Sequence, residues 1–305
     1  MAEFKVHICS FNNFPTAAGL ASSAAGFAAL VASLAALYKL PTSPSELSRI
    51  ARQGSGSACR SLFGGFVAWE KGTAEDGSDS LAVEVAPREH WPDIHALICV
   101  VSDDKKGTSS TAGMQRTVET STLLEHRVKH VVPERMRAIS EAIKARDFDT
   151  FAQITMQDSN QFHATALDTD PPIFYLNDVS RAVIALIVEY NRVSVEAGGK
   201  LKAAYTFDAG PNAVIYTLKE NVKEIVSLIV KYFPQADGFK DTFGLFGSTG
   251  VGEGCVVERF NVNVTKKFEV GAVKGLIHTR VGDGPRVLGN EEALLDADGL
   301  PKTIA

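Results

Sequence analysis

Four stretches of this chain gather side chains that handle anions or protons. The first runs Asn12-Asn13-Phe14-Pro15-Thr16-Ala17-Ala18-Gly19-Leu20-Ala21-Ser22-Ser23 into an apolar segment. Small residues let a ligand approach the backbone, and paired hydroxyls stand where the positive end of a helix would begin, which suits a phosphate. Ser22 and Ser23 could donate to phosphate oxygens or help to place a magnesium ion. The stretch lacks the Lys of a Walker loop, and an Ala-rich helix capped by its serines would look the same locally.

The second stretch is Gly54-Ser55-Gly56-Ser57-Ala58-Cys59-Arg60-Ser61. A guanidinium can grip carboxylate or phosphate with two parallel bonds while Ser55 and Ser57 donate to neighbouring oxygens. A flexible connection with Arg60 in a surface ion pair is the competing reading. Third, Lys105-Lys106-Gly107-Thr108-Ser109-Ser110-Thr111 collects ammonium and hydroxyl groups where a strand gives way to a helix. Ser109 or Ser110 could equally be that helix's cap. The fourth is Asp208, at the end of an apolar strand and before Ala209-Gly210-Pro211-Asn212. A carboxylate in so rigid a turn could take or orient a hydroxyl proton during phosphoryl transfer, or act only as an Asx-turn acceptor.

Other candidates carry less. Residues 247–254 are glycine-rich without a following Lys-Ser/Thr and read as a mobile surface loop. The seven His show no zinc spacing, and His163 reads as helix packing or supporting polar structure. No Ser-His-Asp set is identifiable, and Ser102 to Lys105 is an isolated Ser-x-x-Lys match.

The elements that must position these groups follow from periodicity. Alternation predicts a strand over 4–10, then a loop at 11–18 and a buried helix over 19–38. Ser43-Pro44-Ser45-Glu46 has capping-box spacing with Pro at the first helical position, so a short helix should run to about Arg52 and end at Gly54. Residues 66–71 and 81–86 read as a hairpin, His90-Trp91-Pro92 as a boundary, and 96–102 as a buried strand. Helices are expected near 107–119, 133–145, 148–165 and 178–197, the last ended by Gly198-Gly199. Strands 203–207 and 213–218 flank the Asp208 turn, helix 221–232 follows, and 255–258 and 276–281 look like closing strands. Partly segregated strands and helices indicate two α+β lobes, without internal repeats.

Composition excludes several classes. The chain has 305 residues, 45% hydrophobic and 22% charged, which is ordinary globular composition and enough for a sizeable core. A net charge of −5 without a basic stripe argues against nucleic acid and acidic membranes as partners. Cys9, Cys59, Cys99 and Cys255 are scattered without a CxxC pair, so reduced thiols are expected rather than a zinc or disulfide framework. No signal peptide opens the chain, and the Ala/Ser content of residues 20–37 makes a weak membrane span. No metal ligand set is identified.

Taken in order, the motifs at 12–26, 54–65, 110–120, 156–163 and 205–213, with a weaker match at Asp298-Gly299-Leu300-Pro301-Lys302, resemble the diphosphomevalonate decarboxylase family. That family lies within the superfamily of galactose, homoserine, mevalonate and phosphomevalonate kinases. The general kinase loop has glycines where this chain has Ala17 and Ala21, and the Ala form resembles the decarboxylase branch. The resemblance implies an α+β, two-lobed architecture. Residues 1–92 would form part of a ribosomal-protein-S5-domain-2-like ATP and substrate lobe, and 93–305 a ferredoxin-like C-terminal lobe.

It also implies ATP-dependent decarboxylation of (R)-5-diphosphomevalonate to isopentenyl diphosphate, with ATP and Mg2+ as cofactors. The expected setting is a cytoplasmic homodimer. Asp208 and Arg60 would carry the chemistry. Asp208 would engage the 3-hydroxyl and Arg60 the substrate carboxylate, with Ser55 and Ser57 on substrate oxygens and Ser110 orienting the phosphates. Ala18, Gly19, Leu20, Ala21, Ser22 and Ser23 would form the ATP phosphate loop. The family's Lys-Tyr-Trp-Gly-Lys segment does not occur in the chain. The expectation is a member lacking much of its N-terminal lobe, with strand 4–10 deprived of neighbours and the chain alone inactive or poorly folded. A kinase that stops after phosphorylation and a non-catalytic binding remnant are the alternatives.

Overall fold

A computed structural model describes residues 5–16, 19–102, 110–236, 239–246 and 258–303. Helices α1 (Ser22–Leu37) and α2 (Pro44–Gly54) open it. The capping box forms as expected: the Ser43 hydroxyl accepts from the Glu46 N–H, and the Glu46 carboxylate accepts from the Ser43 N–H at 2.9 Å. A 3-10 segment, Gly56–Leu62, leads to the antiparallel hairpin of β1 (Phe66–Trp69) and β2 (Ala82–Ala86). Next come β3 (Ile94–Val100), α3 (Ser110–Thr120), α4 (Thr122–His126), a π turn at Arg127–Val131, α5 (Val132–Ala145), α6 (Phe148–Leu167) and α7 (Asp178–Glu196). Strands β4 (Ala203–Phe207) and β5 (Ala213–Leu218), helix α8 (Val222–Tyr232) and β6 (Gly275–Arg280) complete the fold.

The main sheet is wholly antiparallel, in the order β4-β5-β3-β6. Alternation gives it two different faces. Leu97, Cys99, Tyr205 and Ile215 face α7 and α8, where Val183, Leu186, Ile187, Val222, Ile225 and Ile229 are fully buried. Each such aliphatic side chain contributes about 2 kcal/mol relative to exposure. On the opposite face Ile94 and Ala204 join a second cluster with Trp91, Phe148 and Phe151. Trp91, expected at a boundary, is 4% exposed and packs edge-on against Phe148 and Phe151. This mixed architecture bears out the α+β expectation.

Three expectations need correction or fall elsewhere. Residues 5–10 form no strand. Their alternation marks two faces, but a strand also needs an edge to pair with, and Val6 and Ile8 stay exposed while the His7 ring bonds to the Gly299 carbonyl at 2.7 Å. Helix α1 is not buried: Ala24 and Ala28 alone of its residues are, whereas Phe27 is 39% and Leu37 61% exposed. An all-round apolar sequence selects no face, and α1 packs Ala24 and Ala28, with Val31 and Ala32, on α2 and the 3-10 segment. Residues 255–257 of the expected closing strand, the glycine-rich stretch 247–254 and Cys255 lie outside the described residues, and Glu258 is in a turn. Cys9, Cys59 and Cys99 are free thiols, and burial raises Cys99 to about 12.

On the α7/α8 face, His95 of β3 and His278 of β6 are diagonal neighbours, Nδ1 to Nε2 at 2.8 Å. Both are buried, with Phe239 and Phe243 around them. One facing nitrogen carries the proton and the other accepts it, so a second proton has no acceptor there. Burial lowers both rings; Arg280 and Lys219 lower His95 further against Asp93. His278 falls to about 4, from burial and then His95, with Asp241 opposing. The unfolded chain therefore takes these protons first, and stability present above the ordinary histidine value is lost as the solution is acidified. Thermal unfolding should show Tm falling from about pH 6.5 toward pH 4, and His278→Phe should flatten that decline.

Candidate functional site at the Asp208 turn

Strand β4 lies at the edge of its sheet, so alternate backbone groups on its outer side need partners from elsewhere. Helix side chains provide them. Asn191 of α7 accepts from the Lys202 and Ala203 N–H groups through Oδ1 and donates to the Ala203 carbonyl through Nδ2. At the other end, buried Ser159 of α6 accepts from the Phe207 N–H at 3.1 Å. His163, one helical turn on, donates from Nε2 to the Phe207 carbonyl at 3.3 Å. The residue before Asp208 is thus gripped on both its backbone groups, and His163 has the supporting role expected of it.

Asp208 itself is exposed, and its carbonyl accepts from the Gly210 N–H at 2.7 Å. Its charge is felt by two aromatic neighbours. Tyr175 is raised by burial and then by Asp208, and His163 is lowered by burial against the Phe207 carbonyl and Asp208. Tyr175 also stacks on Phe162, with centroids 6.5 Å apart.

Beside this carboxylate a cavity of about 720 Å³ opens on the sheet face opposite α7 and α8. Ile94, Ala96 and Ile98 of β3, Val214 of β5 and Ile277 of β6 form its apolar floor. Asp208 also lines it, together with Asn13, Phe14, Gly19, Leu20 and Ala21. The loop and the turn touch backbone to backbone. A Cβ on Gly19 would stand 3.0 Å from the Cα and N of Gly210, and its φ of +76° is one that side chains rarely adopt. Ala21, at the N-cap of α1, is also left-handed (φ 55°), and no side chain caps the helix. Its positive end is therefore turned toward the cavity loop without a capping oxygen.

The expected site residues fall into three groups. Gly19, Leu20, Ala21 and Asp208 share the cavity. Ser23 leaves the first turn of α1 and meets Ser55 hydroxyl to hydroxyl at 3.0 Å, which joins the first and second sequence motifs. Ser57 and Arg60 are half-buried in the adjoining 3-10 segment, and neither lines the cavity. Ser22 begins α1 and Ser110 begins α3, and neither is among the cavity's lining residues. Ala17, Ala18, Lys105, Lys106, Gly107, Thr108 and Ser109 lie outside the described residues. Among the described residues no group of three or more His, Cys, Asp or Glu could hold a metal ion.

Sequence reasoning missed Tyr216 and Thr279 as residues whose side chains face the cavity. Strand alternation could place Tyr216 and Thr279 on the face of Ile98 only together with the β3, β5 and β6 pairings.

Comparison with known proteins gives one family throughout. Residues 96–288 match the Mevalonate 5-diphosphate decarboxylase C-terminal domain, and 1–82 the Diphosphomevalonate decarboxylase-like N-terminal domain. The diphosphomevalonate decarboxylase of Ganoderma lucidum is 80% identical over 302 residues, covering 99% of this chain and 75% of that protein. A crystal structure of mevalonate 5-diphosphate decarboxylase superimposes with a TM-score of 0.79 at 51% identity, over 94% of this chain and 72% of that one. A second, "MDDEF in complex with MVAPP, AMPPCP and Magnesium", gives 0.63 at 36% identity, over 72% of this chain and 65% of that one.

The contact between Gly19 and Gly210 predicts a contrast between two glycines. Gly19→Ala should lower the unfolding free energy by about 1–3 kcal/mol in denaturant titration, from its positive φ and the overlap. Gly26, in α1 with nothing within 4 Å of its Cβ position, should gain about 0.5–1 kcal/mol on change to Ala.

Proposed function

Because the chain belongs to the diphosphomevalonate decarboxylase family, we propose how its residues divide the work of that reaction. The reaction is the ATP-dependent decarboxylation of (R)-5-diphosphomevalonate to isopentenyl diphosphate, ADP, phosphate and carbon dioxide. One observation carries the assignment: Asp208 and the Gly19–Ala21 loop at the uncapped end of α1 line a single cavity.

A loop of small residues at a helix N-terminus fits the phosphates of a nucleotide, and the complex with AMPPCP, an ATP analogue, and magnesium supports that choice. Gly19, Leu20 and Ala21, with Ala18, Ser22 and Ser23, would hold those phosphates. Magnesium keeps much of its water and binds phosphates rather than a protein cage, so the helix end and its serines suit it. Magnesium-ATP, when bound, supplies the phosphoryl group that makes the tertiary hydroxyl a good leaving group.

Asp208 then has the central task. Its exposed carboxylate accepts or orients the proton of the 3-hydroxyl as that oxygen becomes a nucleophile. Arg60 holds the substrate carboxylate until carbon dioxide departs, with Ser55, Ser57 and Ser110 on neighbouring oxygens. Among the described residues the Arg60 guanidinium makes no hydrogen bond or ion pair. As phosphate leaves C3, the electron pair of the breaking C–C bond forms the new double bond. In this division residues 1–92 serve ATP and substrate, and 93–305 bring Asp208. A cytoplasmic homodimer completes the proposal; among the described residues no helix is long and apolar enough to cross a membrane.

The test is carbon dioxide release from diphosphomevalonate and ATP by the purified chain, with product analysis. A stable phosphorylated acid without carbon dioxide would overturn the decarboxylase reading in favour of a kinase. Asp208→Asn should reduce turnover about 10²–10⁴-fold while nucleotide KM changes little. Arg60→Lys, which loses the planar fork, should raise the KM for diphosphomevalonate about tenfold.

A further inference from the structure

We infer that Asn212 is a positioning residue, whose side chain sets the Asp208 turn against the end of β3. The inference rests on the reading of Asp208 as the reactive carboxylate. The backbone ladder between β3 and β5 ends at Cys99 opposite Ala213. Continued for two residues, it would bring Val101 opposite Pro211, whose carbonyl accepts from Ser180 instead of from the Val101 N–H. The chain there is already bending through the Asp208 turn. Val101 is buried, and an unpaired buried N–H is costly, about 1–3 kcal/mol.

Asn212 replaces the missing rungs with its side chain. Its Oδ1 accepts from the Val101 N–H at 2.6 Å and the Ser102 N–H at 3.0 Å. Its Nδ2 donates to the Ser102 carbonyl at 3.0 Å. The residue is 1% exposed, so these bonds do not compete with water.

The neighbouring pins show why this matters for Asp208. On the other side of the turn, Ser180 of the α7 capping box donates to the Pro211 carbonyl at 2.9 Å. Before the turn, Ser159 and His163 hold Phe207. Residues 208–210 therefore span two fixed points, with Gly210 against Gly19. Ser159, His163 and Ser180 tie the turn to helices, whereas Asn212 ties it to the central strand β3.

Side-chain chemistry separates the variants. Asn212→Ala removes all three bonds. Asn212→Asp keeps an acceptor for the two N–H groups but sets an oxygen against the Ser102 carbonyl. Amide hydrogen exchange, read by peptide, tests the idea on the folded chain. In Asn212→Ala, exchange at Val101 and Ser102 should accelerate about tenfold or more, and exchange over 207–210 should accelerate with it, while α8 and β6 keep their protection. In Asn212→Asp, protection of Val101 and Ser102 should largely return.

In turnover, Asn212→Ala should lower kcat about tenfold with the KM for ATP unchanged, and should cost less than about twofold when Asp208 is already Asn. Acceleration by one common factor along the whole chain would overturn the inference, as would acceleration at 101–102 with 207–210 unchanged. Equal losses of kcat in both Asp208 backgrounds would do the same. Wild-type protein that releases no carbon dioxide would count against the decarboxylase reading instead, and the exchange comparison would still decide the role of Asn212.

Discussion

The register of β3 between β5 and β6 is the constraint on which the rest of this molecule depends. With Cys99 opposite Ala213 on one side and Leu276 on the other, Leu97 and Cys99 enter the α7/α8 core while Ile94, Ala96 and Ile98 turn to the cavity side. A slip of one residue would exchange those faces, burying the cavity floor and exposing the core. The same register decides where the ladder stops, and hence where the chain is free to bend at Asp208. Core and site are therefore set by one pattern of backbone hydrogen bonds.

Around the turn, the accounting of buried backbone groups explains otherwise unremarked polar residues. Ser159, Ser180, Asn191 and Asn212 are all nearly inaccessible to solvent; the first three bond to backbone of β4 or of the turn that follows it, and Asn212 to backbone at the end of β3. An edge strand in a dry environment leaves few alternatives: its outward groups find side-chain partners or lose several kcal/mol in total. The proposed role of Asp208 requires such a fixed support, because small errors in placement cost turnover heavily. Asp208 itself stays exposed on this support.

The loop that touches this turn shows a different economy. Gly19 and Ala21 both adopt left-handed backbone, strain that a helix N-cap with a serine or aspartate acceptor would not require. Its consequence is a close backbone approach to Gly210 and a helix end without a side-chain cap. Trp91, between Phe66, Phe148 and Phe151, packs the hairpin side of the chain onto the sheet that carries Asp208. The two halves of the proposed site are thus held by aromatic packing as well as by the Gly19 contact.

Much of this was legible from sequence because its causes are local. The Ser43–Glu46 capping box, the apolar strands on either side of 208–212 and the helix after Ser22 each announce themselves within a few residues. The motif order also identified the family before any contact was known. Strand 4–10 and a buried α1 were misread for one reason: alternation and apolarity describe what a segment can bury, and the partner that buries it is elsewhere in the chain. The His95–His278 pair spans 183 residues and the Asn212 bonds to Val101 and Ser102 span 111 and 110, distances over which no periodicity carries information. Sequence determined which residues could do the chemistry and which segments would be regular. Tertiary structure decided which of them meet, since buried donors and acceptors take whichever partners the packed sheet brings within reach.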